Sequence, residues 1–235
     1  MAFRVVSIRR YPVKSMGGEA LDLVHLDQRG LAGDRWFAIR DHDGLLVCGK
    51  DSARFRHHEA VYDFSARTRG FFVEVDGQLD GEPHTWRVGR PELDAHLSQL
   101  LGFPVSVQPE KDLLHQDSGA ISIIGTATLD FCAREWGVDA DPRRLRTNLV
   151  LETQTPFIEQ DWIGWDLVIG TTRIAVTGAI ERCDMVEDSQ DGATGGDGWA
   201  ETTFLERDGL LGVYADVLTK GAINVGDRVK LSRHR

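Results

Sequence analysis

The chain has 235 residues, a formal charge of -10 and a hydrophobic fraction of 41%, the balance of an ordinary globular protein with enough chain for one large core or two small ones. The acidic excess argues against a general nucleic-acid binder, because such proteins carry a surplus of Lys and Arg to neutralise phosphates. Three cysteines, at 48, 132 and 183, make no disulfide framework, the N-terminus lacks a signal-peptide core, and no stretch approaches the roughly 20 apolar residues of a membrane span, so the expected compartment is the cytoplasm, with no membrane partner.

Residues 3–8 alternate and predict a strand. A turn-rich segment runs from Tyr11 to Gly18 and carries Lys14 and Ser15, and Leu21, Leu23, Val24 and Leu26 predict a second strand. A glycine-punctuated loop, Gly30 to Arg35, leads into an expected hairpin over 36–48 with its turn at Asp41-His42-Asp43-Gly44. Strands are expected at 61–65 and 70–75. Short strands joined by Gly and Asp turns suggest a barrel or sandwich. Residues 91–101 differ: Leu93, Leu97, Leu100 and Leu101 recur at helical spacing, with Pro91 near the start and Gly102 past the end. A strand at 105–107, a polar loop at 115–119 and a strand at 120–124 follow. Thr126 or Thr128 is expected to cap a helix running to Trp136, with Cys132 on its apolar face.

Arg143 to Arg146 form a basic patch that runs through Thr147 and Asn148 into a strand ending at Leu151. Strands are expected near 165–169 and 172–177, with Gly178 breaking the second. The Gly- and Asp-rich stretch 187–201 reads as a mobile loop controlling access. Residues 211–218 predict a strand or short helix, and 221–231 a terminal strand pair. No internal repeat is present, and a soft boundary falls between Gly102 and His115.

Four segments carry candidate chemistry. Lys14-Ser15 lies in a turn, Arg35 ends a glycine loop, Arg146-Thr147-Asn148 opens a strand, and Arg182-Cys183 follows one. In an acidic protein, cations in turns beside Gly suggest a pocket for an anionic, phosphate-bearing ligand. Ser15, Thr147 and Asn148 suit phosphate oxygens or a heterocycle edge. Each cation read singly is equally a surface charge. Cys183 has two readings: a small buried apolar residue, or a thiolate favoured by Arg182 and competent towards electrophiles and soft metals.

Tyr-Pro-Val-Lys-Ser (11–15), Gly-Leu-Ala-Gly-Asp-Arg-Trp (30–36), Arg-Thr-Asn-Leu-Val (146–150), Arg-Cys (182–183) and the closing Gly-Ala-Ile-Asn-Val-Gly-Asp-Arg-Val (221–229) together resemble the MOSC family, named after the C-terminal domain of molybdenum-cofactor sulfurase. The N-terminal half resembles the β-barrel domain that precedes MOSC in the mitochondrial amidoxime-reducing component and its bacterial relatives. The resemblance implies a mainly β fold with a few helices: a MOSC N-terminal barrel-like domain over 1–113 and a MOSC barrel over 114–235, with chain ends that pair across the boundary. It implies a molybdopterin-type molybdenum cofactor and the reduction of N-hydroxylated compounds.

By the same resemblance, Cys183 matches the cysteine that ligates molybdenum or carries sulfane sulfur in a cofactor-handling protein. Lys14, Ser15 and Arg35 match positions that hold the pterin and its phosphate. Arg146, Thr147 and Asn148 match an Arg-Pro-Asn motif with Thr in place of Pro, Arg182 accompanies Cys183, and Asp117 with Thr126 or Thr128 fall where relatives have polar residues beside the cofactor. Glu181, the run Asp184 to Ser189, and Cys48-Gly49-Lys50 depart from the family pattern. Cys48 is expected to be a strand residue rather than a second nucleophile, Cys132 a core residue, and His57-His58 solvated. Without an appended iron–sulfur domain, electrons are expected from a separate cytochrome- or ferredoxin-type protein, and the substrate is expected to be small and polar.

Overall fold

The protein, seen here as a computed structural model, is described for residues 3–196 and 198–233. It is mainly β. Seven strands close a barrel in the order Leu149–Leu151, Ile121–Gly125, Leu210–Thr219, Thr172–Glu181, Trp165–Ile169, Arg228–Arg233 and Phe3–Arg10. Closure comes from the first strand, which pairs with Arg228–Arg233 on one side and Leu149–Leu151 on the other. Val5 and Ile8 are 1% exposed and enter the barrel core with Leu149, Ile174, Val213 and Val229; three residues apart, they would face opposite sides of an unbroken strand, and the register shift between Val5 and Ser7 brings both inside. The N-terminal strand is therefore part of the barrel built by the C-terminal half.

The remaining N-terminal chain forms smaller sheets around a second core. Ser65–Arg69, Phe72–Leu79 and Glu82–Arg87 make one sheet, and Phe37–Asp41, Leu46–Cys48, Phe55–His57 and Val105–Pro109 another. Helix Pro91–Leu101 buries Leu93, Leu97 and Leu101 against that core, while Leu100 is exposed. Each buried Leu contributes about 1.5–3 kcal/mol of apolar burial. The helix stops at Gly102, whose φ of 79° suits a left-handed C-cap. No described helix is long and apolar enough to cross a membrane.

Five expectations are corrected. Residues 59–63 form a 3-10 turn, because His58 Nδ1 accepts the Ala60 N–H at 3.3 Å and nucleates it; the strand begins at Ser65. The helix after Gly125 is capped by neither Thr126 nor Thr128. Gly125 takes the N-cap position and Thr153 Oγ1 accepts the Ala127 N–H, while a π-turn over Cys132–Trp136 extends the helix. The strand expected over 172–177 does not stop there: Gly178 breaks its pattern without ending it. The register shifts there and the strand continues to Glu181. Gly221–Asn224 and Arg228–Arg233 do not pair with each other: Asp227 bonds back to the Asn224 N–H, the chain turns, and the two strands join Leu23–Asp27 and Trp165–Ile169.

The fifth correction concerns 187–201. Arg9 holds Asp191 through two bonds of 2.5 and 2.6 Å, and Asp191 also accepts the Gly18 N–H. Glu187 accepts the Gly198 and Ala200 N–H groups at the start of helix Trp199–Arg207, and the Trp199 indole is fully buried. The segment is tied at both ends, although its composition suggests freedom. Asp197 lies outside the described residues.

Candidate functional site

A cavity of about 400 Å³ opens between the barrel and the N-terminal sheets. Its wall collects residues far apart in sequence: Lys14, Ser15, Arg35, Cys48 and Lys50 from the N-terminal half, and Asp117, Arg144, Arg146, Arg182, Cys183 and Tyr214 from the rest. That volume lies within the usual range for small-molecule sites.

Lys14 follows the first strand and is held by its own backbone, the Lys14 N–H donating to Phe37 O at 2.8 Å. Its ammonium is buried and donates to His115 O and to Asp117, both at 2.8 Å. Lys50 meets the other oxygen of Asp117 at 3.0 Å. Burial opposes ionisation of Asp117, yet the two ammonium groups outweigh it and hold the carboxyl below the usual carboxylate range. Burial pulls Lys14 down from the ordinary ammonium value, with Asp117 opposing. Lys14 and Lys50 also sit over the Phe55 ring, at 5.0 and 4.8 Å from its centroid.

Ser15, Arg35 and Arg146 all have positive φ, at 69°, 49° and 51°. Three non-glycine residues in the left-handed region around one cavity is a costly arrangement that the surroundings must enforce. The Arg35 N–H is fixed by Tyr11 O at 2.6 Å, its guanidinium is paired with buried Asp34, and it donates to Arg146 O at 3.1 Å. Arg146 in turn donates to Ser15 O at 3.2 Å and Met16 O at 2.9 Å. Its guanidinium lies 4.3 Å from the Tyr11 ring centroid, with Arg35 at 5.0 Å. Burial pushes the Tyr11 phenol up to about 12 despite these cations.

Arg182 leaves the bulged strand and donates to Leu211 O at 2.9 Å and Leu145 O at 2.8 Å. Burial lowers its pKa to about 10. Its Nη2 and the Ser15 Oγ are buried without a hydrogen-bond partner among the described residues. Both residues line the cavity, so each has hydrogen-bonding capacity to spare for a ligand. Cys183 is exposed, at the start of the 3-10 turn Asp184–Glu187. The buried-hydrophobe reading of this thiol is thereby removed.

Lys14, Ser15, Arg35, Asp117, Arg146, Arg182 and Cys183 are thus brought to one cavity. Asn148 is not free to join them. Its amide donates to Arg9 O and Asp34, its carbonyl accepts from the Ser122 N–H and Oγ, and it borders only a small adjoining recess. Thr147 is buried and does not line the cavity. Thr126 and Thr128 lie at a separate joint: Thr126 Oγ1 bonds to the Thr153 backbone, and Thr128 Oγ1 donates to Glu159 and accepts the Phe157 N–H. Among the wall residues that the sequence reading did not propose as site residues are Lys50, Cys48, Tyr214 and Arg144. For Lys50 and Cys48 a signal existed in the departure at Cys48-Gly49-Lys50.

Family comparison agrees with this architecture. The model described as MOSC domain matches residues 110–230, and that described as MOSC N-terminal beta barrel domain matches 2–85. The chain belongs to the MOSC family. Among solved structures, this MOSC protein is similar to the YUAD protein from Bacillus subtilis, with 14% identity over 100% of this chain and 98% of that one and a TM-score of 0.53, a likeness of fold. YiiM from Escherichia coli matches with 12% identity over 100% of this chain and 71% of its own, at a TM-score of 0.47. No curated protein matches the sequence.

The MOSC family is linked to the molybdenum cofactor. Cationic side chains in the wall, Lys14, Lys50, Arg35, Arg146 and Arg182 among them, suit a phosphate. The unpartnered Ser15 hydroxyl and Arg182 N–H supply further donors. Among the described residues no three His, Cys, Asp or Glu side chains cluster to hold a metal by themselves. A metal here would take Cys183 as its protein ligand and the rest of its sphere from the cofactor.

Proposed function

We propose that this MOSC protein is a molybdenum-cofactor oxidoreductase that reduces small polar N-hydroxylated compounds, with electrons supplied by a separate cytochrome- or ferredoxin-type protein. The observation that carries the reading is the exposed Cys183 thiol in the wall of a cation-lined cavity whose Ser15 and Arg182 keep unused donors. The cofactor, when bound, supplies the two-electron chemistry that removes oxygen from the substrate.

The chain's own groups perform the rest. Lys14, Lys50, Arg35 and Arg146 provide charge for the phosphate, and Arg182 and Ser15 provide directed donors. Cys183 contributes one soft ligand. Asp117, ionised throughout the physiological range by its two lysines, keeps both ammonium groups in place. Glu181, at the rim beside Cys183, presents an exposed carboxylate to whatever approaches the thiol.

The test is metal and pterin content of protein made in a molybdenum-replete host, with Cys183→Ser beside it. Near-stoichiometric molybdenum in the wild type, lost or inactive in Cys183→Ser while pterin is partly retained, is the expected result, because a serine hydroxyl is a far poorer soft-metal ligand than a thiolate. Wild-type metal and activity in Cys183→Ser would sink the reading. A second reading, a sulfur-carrying protein with a persulfide on Cys183, is favoured by one specific feature: another thiol, Cys48, in the same cavity wall.

A further inference from the structure

Cys48 lies in strand Leu46–Cys48, as its position in the sequence predicts, but its side chain also lines the cavity that holds Cys183. The turn that presents it is rigid. The Cys48 carbonyl accepts the His58 N–H at 2.9 Å. A Cβ on Gly49 would stand 1.5 Å from the Tyr62 hydroxyl, so only glycine allows the close packing that fixes Cys48 and Lys50 together. The Cys48 Sγ lies 3.4 Å from Lys50 O, and the Lys50 ammonium is within electrostatic reach of both thiols. Cys183, by contrast, is exposed on the chain that leaves the barrel strand. One thiol is thus buried and fixed, the other exposed, and two lysines face the cavity they share.

We propose that Cys48 and Cys183 form a reactive thiol pair that accepts sulfane sulfur from a small persulfide donor on Cys183 and releases it as sulfide by closing a Cys48–Cys183 disulfide. This rests on the sulfur-carrying reading of Cys183 and adds to it the residue that discharges the sulfur. In the first step the Cys183 thiolate attacks the outer sulfur of the donor persulfide. The donor thiolate leaves and Cys183 holds one extra sulfur. In the second step the Cys48 thiolate attacks the Cys183 Sγ. The Sγ–Sγ bond forms, the bond to the extra sulfur breaks, and that sulfur departs as hydrosulfide with the bonding pair. The two thiols together give up two electrons and the sulfane sulfur takes both. The Cys48 proton leaves through water and a dithiol reductant resets the pair.

Burial keeps Cys48 as a thiol at rest, above its ordinary pKa, while Lys14 and Lys50 oppose that effect. Their charge is what the thiolate needs at the moment of attack. The same two lysines serve an anionic ligand, so a bound cofactor and sulfur release exclude one another in this cavity.

The experiment uses the full chain, reduced and freed of reductant, with glutathione persulfide as the probe. Sulfide is assayed, and peptides are mapped by mass without reduction. Wild type should release sulfide in proportion to protein and yield a linked peptide pair containing Cys48 and Cys183. Cys48→Ser should stop with the extra sulfur on Cys183 and release sulfide at least about tenfold more slowly. If Cys48→Ser releases sulfide at the wild-type rate, or wild type keeps the extra sulfur on Cys183 with Cys48 unmodified, the proposal is overturned. Diamide oxidation of the wild type guards against a misfolded variant: a Cys48–Cys183 link is expected, and failure to form it overturns the pairing. If neither protein takes up sulfur, the proposal fails together with the sulfur-carrying reading, while molybdenum content still decides the reductase reading separately.

Discussion

The pair Lys14–Asp117 offers the sharpest test of how the cavity is held open. Lys14 is 6% exposed at its side chain and Asp117 38%, with Nζ and Oδ1 2.8 Å apart. At an effective dielectric constant near 20 the gross attraction at this separation is about 6 kcal/mol. Burying the ammonium consumes much of that, and the exposure of Asp117 screens more, leaving a net coupling of about 1–3 kcal/mol. Lys14→Met leaves Asp117 with Lys50, so it should cost about 1–2 kcal/mol. Asp117→Asn keeps an acceptor oxygen but leaves the buried Lys14 ammonium without its charge partner, and should cost more, about 2–3 kcal/mol. The double variant should lose less than the sum by the coupling energy. Urea unfolding of the four proteins at pH 7 measures this directly. The folded carboxyl is depressed, so the coupling is present above the unfolded carboxylate value near pH 4 and fades as pH falls through the folded one. Additivity within about 0.5 kcal/mol at pH 7, or a coupling that strengthens on acidification, would refute the reasoning.

Three further outcomes are expected. Arg35→Ala and Arg146→Ala should each lower pterin content about tenfold or more and should each also lower the unfolding free energy, the first because it leaves buried Asp34 without its cation, the second because it strips the Ser15 and Met16 carbonyls of charge-assisted donors; full pterin content in both variants would contradict the geometry. His115 is fully buried, its Nδ1 3.2 Å from Arg35 O, and burial lowers its pKa from 6.5 to about 4, so the unfolded chain binds a proton that the fold refuses. Stability should therefore fall between pH 6.5 and 4 by up to about 3 kcal/mol, and His115→Asn should flatten that part of the unfolding profile. Gly49→Ala should destabilise by about 1–3 kcal/mol or more through the clash with Tyr62, read as a drop in melting temperature; an unchanged melting temperature would mean that the turn is not packed as described.

Much of the architecture is local in origin and was therefore legible. Alternation over 3–8 and 172–177 marks strands because side chains in a strand face opposite sides, and Leu93, Leu97 and Gly102 mark a helix and its end for equally local reasons. The site motifs were legible in a different way, through the order in which five short segments resemble one family. What the sequence left open was convergence. Thr126, Thr128 and Asn148 have the right functional groups, yet Thr128 spends its hydroxyl on Glu159 and the Phe157 N–H, and Asn148 locks Arg9 to Ser122 and Asp34. Ser15, no more polar than these, keeps its hydroxyl unpartnered at the cavity.

Stretch 187–201 reads as loose from its glycines, but Arg9, from the far end of the chain, fastens it through Asp191. Cys48 and Cys183 are separated by most of the chain, and it is the packing of the N-terminal sheets against the closed barrel that puts both thiols in one wall. Residue type and local period decided by themselves where many of the strands and the helix Pro91–Leu101 fall, and which side chains can bind an anion or a soft metal. Only the tertiary structure decided which of those side chains remain unspent, because a hydrogen-bonding group is free or consumed according to neighbours that arrive from distant parts of the chain.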